Sequence, residues 1–75
     1  MKHEKIYKNE DGSQIKVEIS LYVDNDWATN ASAHWKPFVS SREKGKRNWN
    51  TNHEAATPEQ ILEAKLEFWE KIKPQ

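Results

Sequence analysis

"QIKVEISLYV", residues 14–23, carries the clearest pattern in the chain. Ile15, Val17, Ile19, Leu21 and Val23 alternate there with Gln14, Lys16, Glu18, Ser20 and Tyr22. Side chains of a strand point to opposite faces in turn, so the pattern predicts a strand with one apolar and one polar face. The apolar face needs a cover, which the rest of the chain must supply.

Upstream, "EKIYKNEDGSQ" (4–14) contains Asp11-Gly12. This pair favours a two-residue hairpin turn, in which both central residues take positive φ. With those two residues as the turn, Ile6 faces Val17, Lys5 faces Glu18 and Tyr7 faces Lys16. Ile6 then joins the apolar face, and Lys5 meets Glu18 on the outer one. Glu4 and Lys8 point inward in this register, a charged pattern that suits an edge strand.

Downstream, "DNDWATNASA" (24–33) reads as a polar connection around Trp27, long enough to leave the strand order open. "HWKPFVSS" (34–41) is strand-forming apart from Pro37, which has no N–H for a ladder and predicts an edge or a bulge. A bulge would bring Trp35 and Phe38, three residues apart, onto one face. "SREKGKRNWN" (41–50) predicts a second hairpin with Lys44-Gly45 at its turn and "RNWNT" (47–51) as a fourth strand. Ser40 then lies opposite Trp49, Phe38 opposite Thr51, and Trp49 anchors the hairpin to the core.

"TPEQILEAKLEFWEKIKPQ" (57–75) opens with the signature of a helix start. Thr57 can cap, Pro58 suits the first helical position, and Glu59 and Gln60 follow. Ile61, Leu62, Leu66, Trp69 and Ile72 recur at helical spacing as a core stripe flanked by Phe68, with Glu63, Glu67 and Glu70 on the solvent side. Glu59 near the start and Lys71 and Lys73 near the end suit the helix dipole, and Pro74 stops the helix. The expected architecture is therefore α+β. Two hairpins form a four-stranded antiparallel meander, and the C-terminal helix packs on its apolar face, in one domain spanning residues 1–75.

Composition narrows the function classes. Twelve basic residues balance twelve acidic ones, whereas nucleic-acid binding usually rests on a basic excess. There is no cysteine, hence no disulfide and no thiolate ligand. No signal-peptide pattern or membrane-spanning run is visible, which predicts a soluble, cytoplasmic protein that does not enter a membrane. His3, His34 and His53 match no metal-ligand spacing, and His53-Glu54 lacks a second ligand at i+4. Glu10-Asp11 and Asp24-Asp26 fall in turn-like stretches, and Gly12 and Gly45, the two glycines, make no phosphate-cradling loop. These features predict a binding module with no cofactor and no metal, not an enzyme.

Two candidate surfaces follow. Tyr7, Tyr22 and Trp27, read as exposed aromatics, suit a protein partner or a homodimer. Arg42, Lys44, Lys46 and Arg47 at the hairpin tip, with Trp49 beside them, combine phosphate-binding charge with a stacking ring and suit nucleic acid. Charge neutrality ranks the protein partner first.

Overall fold

A computed structural model describes the backbone over residues 1–26 and 30–73 and the side chains over residues 1–22 and 34–73. The elements are β1 (Lys2–Lys8), β2 (Gln14–Asp26), β3 (Asn30–Arg42), β4 (Asn50–Thr51) and α1 (Pro58–Ile72). The strands lie in the order β1-β2-β3-β4, each antiparallel to its neighbour, and α1 covers one face. This is the α+β meander with a C-terminal helix. The alternation of β2 sets the core: Ile15, Val17 and Ile19 are buried beneath α1 together with Val39, Ala56, Ala64 and Phe68.

The first hairpin departs from the expected register by one residue. Ile6 pairs with Lys16, Lys5 with Val17 and Tyr7 with Ile15. The cause is a three-residue loop instead of a two-residue turn. Asn9 N–H donates to the Ser13 carbonyl at 2.9 Å, Gly12 N–H donates to the Asn9 carbonyl at 3.0 Å, and within this loop Gly12 alone takes positive φ, at 90°. A type I turn closed by a left-handed glycine has this pattern. The Asp11 carboxylate reinforces it by accepting from Ser13 N–H at 2.8 Å. A slip of one residue inverts a strand. His3, Lys5 and Tyr7 therefore face the helix, and Ile6 lies outside at 51% exposure.

Residues 24–33 are not simply a connection. β2 runs to Asp26 and β3 starts at Asn30, with the two strands paired out to Asp26–Asn30. Ladder bonds belong to the backbone, so polar side chains do not end the pairing. No bulge occurs in β3, whose register against β2 is continuous. Pro37 is accommodated because β4 pairs only with Ser40 and Ser41, which leaves β3 an edge at the proline. Trp35 and Phe38 consequently face opposite sides: Trp35 packs edge-on against Phe68 at 5.4 Å, while Phe38 stands outside.

Helix α1 begins with a full capping box. Thr57 Oγ1 accepts from Gln60 N–H at 3.2 Å, and Gln60 Oε1 accepts from Thr57 N–H at 2.9 Å, with Pro58 at the first position. Its rotation corrects the expected stripe. Ala64 and Phe68 are its buried residues, and Ile61 and Ile72 pack partly against the core. Leu62, Leu66 and Trp69 are 56%, 56% and 46% exposed. Two apolar rows run along this helix, and the one containing small Ala64 lets the backbone approach the sheet closely. The expected stop at Pro74 lies outside the described residues, and the last cap is Lys73, whose N–H reaches the Trp69 carbonyl at 2.8 Å.

Candidate functional site

The β1–α1 seam shows what the register shift achieves. Lys5 Nζ donates to Glu67 Oε2 at 2.7 Å and lies 3.5 Å from Glu63 Oε1. Lys71 carries only donors, so its ammonium, 3.3 Å from His3 Nδ1, makes that nitrogen the acceptor. His3 Nε2–H then donates to Glu67 Oε1 at 3.0 Å. The Lys5 bond is the main reason the Glu67 carboxyl is held below its ordinary value, and the same bond raises Lys5. Glu63 is exposed, as expected, and Glu67 is partly covered; both tie the helix to the edge strand.

Tyr7 belongs to this seam and not to an outer aromatic surface. Its hydroxyl lies 3.2 Å from the Gln60 carbonyl and 3.0 Å from Glu63 Oε1. Burial first, and then the bond to Glu63, pushes its phenol up to about 12. Tyr22 sits on the opposite side of the sheet, half exposed, with Lys36 Nζ 5.5 Å from its ring. Trp27 lies outside the described residues. The structure thus separates Tyr7 from Tyr22.

The second hairpin turns at Lys44-Gly45 as expected but differs in register. Its turn closes by Lys46 N–H donating to the Glu43 carbonyl at 3.1 Å, with Gly45 at φ 80°. The ladder resumes only at Asn50, which pairs with Ser41, while Thr51 pairs with Ser40. Residues 46–49 therefore lie outside the ladder, and Trp49 folds over the outer sheet face and not into the core. There Lys16 Nζ is 4.7 Å and Arg42 Cζ 4.5 Å from its ring, both within cation–π range. Phe38 meets the His53 ring edge-on at 5.3 Å on the same face.

The sequence-predicted basic residues divide by position. Arg42 is anchored beside Trp49 and donates through Nε to Gln14 Oε1. Lys44 lays its aliphatic stem against Gly12 of the first turn, so close that a Cβ on Gly12 would stand 2.7 Å from Lys44 Cδ. Lys46 and Arg47, with Glu43, Asn48 and Asn50, line an open polar cleft of about 310 Å³. That volume is at the bottom of the range for small-molecule sites, and the walls carry no apolar side chain. Among the described residues, no three His, Cys, Asp or Glu side chains cluster as metal ligands do.

What the sequence reading missed is the flank of α1. Leu62, Leu66 and Trp69 stand at i, i+4 and i+7 with half or more of the two leucines exposed. The signal that identifies them is Ala64, whose small side chain marks the row closest to the sheet. No helix in the described residues is long and apolar enough to cross a membrane. No family model matches the chain, and no curated protein or solved structure matches it significantly.

Proposed function

We propose that the protein is a non-enzymatic binding module acting by protein–protein contact, and that its partner is a second copy of the same chain docked on the exposed flank of α1. The observation that carries this reading is the row of Leu62, Leu66 and Trp69, 56%, 56% and 46% exposed on one helix. Large apolar side chains at this spacing are the anchor pattern of helix-mediated recognition, and covering them removes apolar surface from water.

The row is nearly symmetric about Leu66, which favours a second copy. An antiparallel twofold pairing sets Leu66 on Leu66, and Trp69 of each chain near Leu62 of the other. It also brings Glu59, in the first turn of one helix, toward Lys73 at the end of the other, and opposes the two helix dipoles. A 75-residue chain has a small core, and dimerisation enlarges the buried apolar area.

Three anchors and their rim make a contact below the roughly 1,200 Å² of a stable specific interface, so the dissociation constant should be on the order of tens to hundreds of micromolar. Sedimentation equilibrium of the wild-type protein and of Leu66→Glu tests this. The wild type should shift toward a dimer as concentration rises, and the variant should remain a monomer with unchanged secondary structure. A wild-type protein that stays monomeric at millimolar concentration refutes the reading.

A further inference from the structure

We propose that the outer face of β2 and β3, continued by the turn at residues 43–47, is a binding surface for single-stranded nucleic acid. It lies on the side of the sheet opposite α1 and is independent of the helix flank.

Two observations support it. The first is charge segregation. Among the described side chains on the outer face of these strands, Lys16, Lys36 and Arg42 stand against Glu18, and in the turn Lys44, Lys46 and Arg47 stand against Glu43. Of the twelve acidic residues that bring the whole chain to neutrality, Glu59, Glu63, Glu67 and Glu70 are on α1, and Asp24 and Asp26 are at the end of β2 away from the turn. The part of this face next to the turn is therefore basic, complementary to a polyanion.

The second is the arrangement of the rings. Tyr22, Phe38 and Trp49 share this face, and basic side chains lie over Tyr22 and Trp49. Tyr22 is 50% and Phe38 42% exposed. Phe38 is opposite Glu18, four residues along β2 from Tyr22, which places these two rings roughly 13 Å apart along the strand. Trp49 lies beyond Phe38, beside Lys16. A row of flat rings interleaved with cations is what an extended strand needs, with bases stacked on the rings and phosphates held by lysine and arginine. A duplex keeps its bases stacked inside and would use the charges alone. The rings thus select a single strand.

The experiment is fluorescence anisotropy with a labelled oligothymidylate, an oligouridylate of equal length, and a duplex of that length, titrated with the full chain. Six phosphate contacts predict a slope of log K against log salt of about −4, a loss of roughly 300-fold between about 50 and 200 mM. Phe38→Ala should weaken single-strand binding about tenfold or more, as should Tyr22→Ala. Both residues are exposed, and circular dichroism verifies that the variants fold. Lys44→Glu with Lys46→Glu should abolish binding, while Leu66→Glu should leave it unchanged. Preference for the uridylate or the thymidylate identifies RNA or DNA as the source. The proposal is overturned by absence of binding at low salt. It is equally overturned by binding to duplex as tight as to single strand with both ring variants unaffected, which is the behaviour of charge alone.

Discussion

Replacing Phe68 and Leu66 separately by alanine reads out the rotation of α1, on which both the core and the proposed dimer depend. Phe68 is 2% exposed, packed edge-on by Trp35 and tilted against His3 at 5.7 Å. Truncating a phenylalanine in such a site costs about 3–5 kcal/mol. At about 0.05–0.15 kcal/mol per residue, a chain of this length has a total stability of only about 4–11 kcal/mol. Phe68→Ala should therefore remove a large part of the stability and at the low end unfold the protein. Leu66 keeps 56% of its surface in water. Full burial of a leucine contributes about 1.5–3 kcal/mol, so less than half of that is at stake. The higher helix propensity of alanine offsets a few tenths more. Leu66→Ala should cost about 1 kcal/mol or less. Urea unfolding followed by far-UV circular dichroism, at a protein concentration well below that of association, measures both. If Leu66→Ala costs as much as Phe68→Ala, the flank is core and the helix orientation is wrong.

The first turn offers a second test. Gly12→Ala places a side chain at φ 90° and 2.7 Å from Lys44 Cδ; it should cost about 1–2 kcal/mol from the backbone alone, since the lysine stem can move aside. An unchanged urea midpoint would contradict the three-residue loop. Two pH limbs follow from the β1–α1 seam. The folded Glu67 carboxyl titrates below its ordinary 4.5, so its contribution is present above that value and lost as pH falls through the folded value. The stability gap between wild type and Glu67→Gln should accordingly close in acid. Tyr7 titrates at about 12 against an ordinary 10.0, so the folded state holds its proton longer and stability falls as pH rises between these values. Raised Lys5 acts in the same direction. Tyr7→Phe should flatten this alkaline limb, and a curve identical to wild type would refute the seam.

How far the sequence reveals this molecule depends on whether the deciding contact is local. β2 is legible because its alternation responds to a boundary between core and water that holds from Ile15 to Ile19. The capping box is legible because Thr57 and Gln60 satisfy each other within one turn. The β1 register is not, because Asp11-Gly12 serves equally in a two-residue turn and in a three-residue loop ending in left-handed glycine. That single residue of difference exchanges Ile6 with Lys5 and Tyr7 across the sheet. The helix has the same ambiguity in another form: two apolar rows fit one periodicity, and the choice between them is made by close packing at Ala64 and by the reach of Glu63 and Glu67 to Lys5. Trp49 owes its place to Lys16 and Arg42, brought together from β2 and β3, and no local pattern records that. Neutral composition, finally, averages the four glutamates of α1 with the basic residues gathered at Lys16, Arg42 and the turn at residues 43–47, and so conceals how the charge is distributed.

Amide and indole NMR spectra over a concentration series show whether the Leu62–Leu66–Trp69 flank is open in the monomer and closed by a second copy. The Trp69 indole and the amides around Leu62 and Leu66 should shift together as concentration rises, while those of Phe38 and Tyr22 stay in place. Shifts confined to the outer sheet face, or spectra that do not change with concentration, would contradict closure by a second copy.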